Sequence, residues 1–550
     1  MTKHTFDVVV VGGGLAGISA ALSARSHGAS VALACDGSLC GGSSFSRNTW
    51  GLGMVCESSS PLDRAHRSLS KAMEDVGMGL CTSGLPERLI VDAASAIEWL
   101  ASLGAQLRVP NDANQREYVP CFDDTVRTWH GFVSSRSRDA LRSAVADAGI
   151  QVFEDCQLLR AFGDGQVRGV LTLHKNSMPL LFHTLSLVIT TGGLAGLYQS
   201  HICPASHGIG HLCALELGAS MVNLEFQQLM VGYLSPLDGV VFNEKLWRWV
   251  DLRVREGTLP SPTQPSLDAA LEAHSWHGPF TAQRCSRLVE ELVCQHDKGE
   301  VLTRIDPRML TGDAPELVAE YVRWLESEYG VSAVQELAIG LFAHSSNGGI
   351  AIDEDGRTGV PGLYVAGEAA GGVHGADRIG GLASVSALVF GRRAGRAAAL
   401  EGGASGDGLK VLSGQVCNGM QALRQATGDL IDIELELRRT LDAHALVPRD
   451  AQGLMAARQH VSELQDLLQR RSAPPAPIDD VDTWDWRGIG CWRRCQSLLV
   501  MGDAMLAGMM ARTETRGSHW RSDCPALDER QGRQLHVSLR QDGVSVQETS

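Results

Sequence analysis

No run of about 18 uninterrupted apolar residues occurs in the chain, so no membrane-spanning helix is expected. Basic excess is missing as well. The net charge of -15 disfavours nonspecific nucleic acid and anionic membranes as partners, because both need a cationic face. The 14 cysteines form no C-x-x-C pair and no dense framework. Cys491 and Cys495 come nearest, and their spacing suits one face of a helix better than a zinc clip. Reduced thiols and no metal site are the expectation. A signal peptide is lacking: the first apolar run, Val8 to Val11, passes straight into glycines instead of a small-residue cleavage site. No twin-arginine leader and no internal repeat are found, and the protein reads as cytoplasmic. What is present is an ordinary globular composition, 44% hydrophobic and 20% charged over 550 residues. That length suffices for about two to four domains with buried cores.

The chain opens as strand, glycine turn, helix and strand, over residues 6–11, 12–17, 18–27 and 30–34. Helical patterning follows at 62–76 and 87–103. Between 150 and 191, short β-rich runs alternate with the turn signal Gly163-Asp164-Gly165, which predicts a small antiparallel excursion. The apolar run 185–191 ends at Gly192-Gly193, as a buried parallel strand should. From about 233 to 342, mixed helices and proline-rich loops mark an insertion. Glycine-punctuated strand sequence returns over 348–381. A Gly/Ser tract at 402–408 then leads to a mainly helical tail, with amphipathic runs at 419–443 and 451–471.

Two motifs carry chemistry. Gly12-x-Gly14-x-x-Gly17 follows an apolar strand and opens a helix. Its glycines permit a tight turn and close approach of a pyrophosphate to the helix N-terminus, whose N–H groups and dipole favour an anion. Asp36, past the second strand, is the candidate for the adenosine ribose, although the strand-end position itself falls on Cys35. The second motif runs from Gly362 through Gly367 to Glu368, with Gly371-Gly372 after it. A short strand ending in Gly-Glu places a carboxylate on polyol hydroxyls. The apolar helix that follows, with Ala383 and Ser384 in its first turn, can point its N-terminal dipole at a reduced flavin ring. Two nucleotide-type motifs in one chain favour FAD over NAD.

The stretch His344-Ser-Ser-Asn-Gly-Gly-Ile-Ala-Ile-Asp353, the strand 361–368, His374-Gly-Ala-Asp-Arg378 and the tail Arg512-Thr-Glu-Thr-Arg516-Gly-Ser-His519 resemble the fumarate reductase, succinate dehydrogenase and L-aspartate oxidase flavoproteins. Gly192-Gly193 and Asn223-Leu-Glu225-Phe-Gln are similar too, so the resemblance spans about residues 5 to 525. It implies an α/β fold: a Rossmann-like FAD-binding domain in two parts (1–232 and 344–401), an inserted α+β capping domain (233–343) and a C-terminal helical domain (409–550). It also implies a hydride moving between flavin N5 and a small carboxylate substrate. By the same resemblance, Arg378 grips the substrate carboxylate, His344 bonds the same group or a nearby carbonyl, and Arg287 delivers a proton opposite N5, with Arg284 one turn earlier. Read from the residues alone, Arg378 could as well brace a loop, His344 belong to the core and Arg287 lie on a solvated helix face.

Three departures matter. A flavin-linking histidine would fall at Ser43, beside Gly42, and serine cannot form that bond, so noncovalent FAD is expected. A distal substrate histidine would fall at Met230, which offers only a weak acceptor and an apolar surface. The loop after Arg378 reads Ile379-Gly-Gly-Leu-Ala-Ser and lacks the usual asparagine. Together they predict a substrate with one carboxylate near the flavin and a less polar distal end, unless Lys245 and Arg248 supply a second clamp. Two alternatives stay open: an electron-transfer subunit working with an iron–sulfur partner, and a flavin-binding regulatory protein without turnover.

Overall fold

The computed structural model describes residues 1–203, 206–254, 264–278, 301–306, 314–332, 334–401, 419–541 and 543–548. Arg284 and Arg287 lie outside the described residues. In chain order, the strands that place the site are β1 (Val8–Val11), β2 (Val31–Ala34), β3 (Gln151–Phe153), β4 (Ser186–Ile189), β5 (Gln227–Tyr233), β6 (Val250–Val254), β7 (Val301–Ile305), β8 (Leu337–Ser346) and β9 (Leu363–Val365). The helices are α1 (Leu15–Ser26), α2 (Gln264–His277), α3 (Leu382–Glu401), α4 (Ile431–His444), α5 (Ala451–Arg470) and α6 (Trp486–Ala511).

The central sheet has the order β9-β4-β1-β2-β3, and every pair in it is parallel. Each residue of β1, β2 and β4 is buried, which is why these strands read as unbroken apolar runs. A parallel sheet covered on both faces leaves no polar side to alternate with. α1 and α3 cross one face without room for side chains between them. A Cβ on Gly391 would come 2.6 Å from Ala16 O, and one on Gly395 would come 2.1 Å from Ala20 O. The predicted antiparallel excursion is present as Cys156–Gly163, Val167–His174 and Pro179–His183, and Thr2–Thr5 adds to it in parallel.

The insertion carries its own sheet, β5-β8-β7-β6, antiparallel throughout. Its two longest strands straddle the expected boundaries at 232/233 and 343/344, so the chain enters and leaves this layer along one strand pair. The tail is helical in α4, α5 and α6, but it is not only helical. Leu535–Arg540 and Gly543–Glu548 form a hairpin that joins Met221–Val222 in a third sheet, returning the chain end to the FAD-type domain. Among the described residues no helix is long and apolar enough to cross a membrane, no cluster of side chains is disposed to hold a metal ion, and the cysteines are free.

Candidate active site

The glycine turn between β1 and α1 divides its glycines by task. Gly12 has a φ of +121°, and a Cβ there would lie 2.2 Å from Thr190 O. A Cβ on Gly17 would lie 1.8 Å from Gly12 O. These two are required by packing between the turn and the end of β4. Gly14, the N-cap of α1, is different. A Cβ there would meet only Gly41 O, at 3.9 Å, and one on Gly42 would meet only Gly14 Cα, at 4.0 Å. Gly192, with φ +80°, faces open space. Gly14 and Gly42 therefore approach each other with backbone alone beside them, leaving a groove free of side chains at the start of α1. No side chain caps α1, and its first turn holds no acidic residue. A pyrophosphate fits such a groove, because helix N–H groups and dipole are left to serve it.

Glu368 follows β9, in a short 3-10 turn. Ser346 N–H donates to its Oε1 at 3.0 Å, and a Cβ on Gly193 would strike that same oxygen. Burial pushes the carboxyl above its ordinary range, against the pull of Ser346 N–H and Arg378. Ser43 begins a short 3-10 turn, Ser43–Phe45, beside Gly42. Ala383 and Ser384 lie in the first turn of α3, which also holds no acid.

Asp36 follows Cys35 beyond the end of β2. It lines an outer cavity of about 680 Å³ with Asp155, Lys175, Arg487 and Arg494. The strand-end side chain that does face the turn is Cys35, whose Sγ would be 2.5 Å from a Cβ on Gly13. Side chains alternate along an extended segment, so a shift of one residue turns the acid to the opposite side. Cys35 is thus the strand-end side chain against the turn, and Asp36 opens on the outer cavity.

Arg378 is 8% exposed and its Nη2 donates to Gln228 Oε1 at 2.5 Å. Gln228 in turn donates from Nε2 to Asp377 Oδ1 at 3.2 Å, and the Arg378 N–H meets the same oxygen at 3.0 Å. Among the described residues, Arg378 Nε is buried with no partner, and so is His344 Nδ1. Burial, with the Arg378 charge nearby, pulls the His344 ring down to about 3, so it is neutral at physiological pH. A buried guanidinium N–H and a neighbouring imidazole nitrogen left open are costly unless a ligand satisfies them. A carboxylate or carbonyl oxygen does so for the guanidinium, and for the imidazole in its Nδ1–H tautomer.

His344 owes its position to a bulge. On β8, Ser345 opposes Gln228 and Ala343 opposes the next residue, Leu229, so His344 is the extra residue. A bulge of this kind re-aims one side chain while the strands continue to pair. Two residues on, Ser346 reaches Glu368, so one strand serves both the groove and the Arg378 seat.

The tail motif braces this arrangement from below. Arg512 Nε donates to Glu225 Oε1 at 2.7 Å, and Glu514 accepts from Arg512 at 3.0 Å and from Arg516 at 2.6 Å, all with exposures of a few per cent or less. Arg449 Nη1 donates to His519 Nδ1 at 2.6 Å, which leaves His519 Nε2–H to donate to Arg512 O at 3.1 Å. Ser518 Oγ donates to Ala376 O at 3.2 Å, next to Asp377 and Arg378. The tail thus touches the loop before β5 and the loop that carries Arg378. Gln228 was missed in the sequence. Its signal was its place two residues before Met230, on the same face of a strand. Lys245 turns its Nζ to Trp276 O at 2.9 Å, at the end of α2, and Arg248 is exposed and pairs with Glu272 at 3.2 Å.

Known proteins resemble this chain over nearly its whole length. The FAD binding domain family matches residues 7–245 and 301–384, and the family described as the fumarate reductase flavoprotein C-term matches residues 434–547. An L-aspartate oxidase of Caulobacter vibrioides is 28% identical over 552 residues, covering 96% of each chain. One subunit of the fumarate reductase (CoM/CoB) from Methanothermobacter marburgensis is 24% identical, covering 94% of each. Among solved structures, the FrdA chain of the E. coli quinol fumarate reductase superposes with a TM-score of 0.78 at 18% identity, covering 100% of this chain and 97% of that one. The Sdh1 complex of Mycobacterium smegmatis gives 0.75 at 21% identity, covering 100% and 94%. The chain belongs to the FAD-binding oxidoreductase family of the fumarate reductase and L-aspartate oxidase flavoproteins.

Proposed function

We propose that this FAD-dependent oxidoreductase transfers a hydride between flavin N5 and a small carboxylate substrate seated on Arg378 and His344. One observation carries the reading: a buried guanidinium N–H and a buried, neutral imidazole nitrogen stand open together, one strand away from the groove that suits the cofactor. When bound, FAD supplies the two-electron carrier. Gly14, Gly42 and the start of α1 would hold its pyrophosphate, and Glu368 its polyol. With Ser43 where a linking side chain would stand, the cofactor is held without a covalent bond. Arg378 draws the substrate carboxylate in, and its fixed fork sets the orientation of the neighbouring carbon. His344, neutral, adds a hydrogen bond without adding charge. Arg287 is assigned the proton on the opposite face, and the free described thiols suit work in the cytoplasm. The Methanothermobacter relative is one part of a larger enzyme, which favours a second reading of the electron path, through an iron–sulfur partner that would co-purify.

The test is anaerobic reduction of the purified protein, followed by flavin reoxidation against unsaturated carboxylates. Reoxidation should depend on the acid supplied, and Arg378→Lys should lose about 100-fold in kcat/KM with flavin content unchanged. A colourless protein that takes up no flavin, or a variant as fast as the parent, overturns the proposal.

A further inference from the structure

The face of β5 that presents Gln228 to Arg378 presents Met230 two residues later, and Met230 pairs across the strands with Phe342. Phe342, Ile202 and Val241 form a small buried apolar cluster, against which Met230, Trp50 and Trp324 pack. The wall next to the carboxylate seat is therefore hydrocarbon and sulfur. Beside it opens a cavity of about 390 Å³, lined by Ile202, Cys203 and Phe342 on one side. Its polar lining is Ser46, Asn48, Gln199, His201 and Asp238, and among the described residues it holds neither lysine nor arginine. Cys203 Sγ donates to His344 O at 3.1 Å, which ties this cavity to the strand that carries the seat. Burial lowers the His201 ring below its ordinary value, and its Nδ1 lies 2.5 Å from Cys203 O. Lys245, a further buried cation, is directed at the carboxyl end of α2.

We infer that the substrate is a monocarboxylate with an uncharged, largely apolar tail, its carboxylate on Arg378 and its tail against Met230 and Phe342. The inference rests on the carboxylate seat proposed above and names what lies beyond it. A second carboxylate set against Met230 and Phe342 would be desolvated by apolar wall, and one in the adjoining cavity would face Asp238, with no cation among the described lining residues to offset either cost. An aromatic or branched aliphatic tail would instead remove apolar wall from water. Space is not limiting, since a cavity of about 150 Å³ already takes a benzene ring.

The experiment is calorimetric titration of the oxidised holoenzyme with cinnamate, methyl cinnamate, fumarate and L-aspartate, in the parent and in Met230→His. Cinnamate should bind at least about tenfold more tightly than either dicarboxylate, and the ester should bind at least about tenfold more weakly than its acid. Met230→His should narrow or reverse the preference by strengthening fumarate. Fumarate or aspartate binding as tightly as cinnamate in the parent overturns the inference and leaves the carboxylate seat standing. An ester that binds as well as its acid overturns the seat itself, and the inference with it. The parent titrations decide the matter even if Met230→His fails to fold.

Discussion

Gln228 holds its amide between a cation and an anion, accepting from Arg378 and donating to Asp377. Replacing it with Leu keeps much of the volume and removes both bonds. Arg378 would then lose its orientation and Asp377 a donor. A hydrogen bond to a charged group contributes about 1.5–3 kcal/mol, so Gln228→Leu should lower kcat/KM roughly 10- to 100-fold while flavin stays bound. Steady-state kinetics with flavin quantified on the same sample checks this, and an unchanged rate removes Gln228 from the site. The glycines of the first turn give a paired prediction. Gly17→Ala would drive a methyl into Gly12 O and should prevent folding, whereas Gly14→Ala projects into the groove. The Gly14 φ of -82° suits alanine, so that variant should fold and lose affinity for FAD. Melting of apoprotein and flavin titration, run side by side, separate the two outcomes. At this scale the sequence was half readable. The turn is local, so spacing alone revealed it. Whether Cys35 or Asp36 faces inward depends on where alternation starts, and that is set by pairing with β1 and β3.

Elements were easier to read than the joints between them. The parallel strands announced themselves as apolar runs because both faces are covered, and α5 appeared within a residue of its expected range. The bulge at His344 left no trace in the sequence, because it exists only in the register of β8 against β5. The terminal hairpin was overlooked for a similar reason: six-residue strands at a chain end acquire meaning only from the partner Met221–Val222. Between helices, the α1–α3 crossing makes a testable demand. Gly395→Val places branched carbon where Ala20 O already stands. Overpacking of a tight core costs about 1–3 kcal/mol or more, and separation of α1 from α3 would also open the groove. A lowered denaturant midpoint together with weaker flavin retention is expected. A variant as stable as the parent would show that the crossing gives way.

Across the whole molecule, buried neutral histidines couple stability to acidity. Burial holds His207 and His211 down at about 4, His344 at about 3, and His519 well below its ordinary value. Unfolded, each takes up a proton near pH 6.5. Because the folded values are depressed, their contribution is fully present above pH 6.5 and is lost as pH falls towards the folded values. Each such histidine steepens the loss by up to about 1.4 kcal/mol per pH unit. Urea unfolding between pH 7 and 4.5 should therefore show stability falling with acidity before most carboxylates titrate. His519→Asn should flatten the slope, if the amide replaces the Arg449 contact. A pH-independent midpoint over that range would contradict the neutral assignment.

The adjacency of β5 and β8 has a consequence for how such proteins diversify. The chain enters and leaves this sheet at two points that lie side by side, and the groups proposed to grip substrate sit at the near end of both strands, by Gln228 and His344. The described residues between Tyr233 and Leu337 are in effect a cassette entered and left along this one strand pair. Lengthening, trimming or exchanging that cassette can alter what covers the tail of the substrate while the carboxylate grip stays where it is.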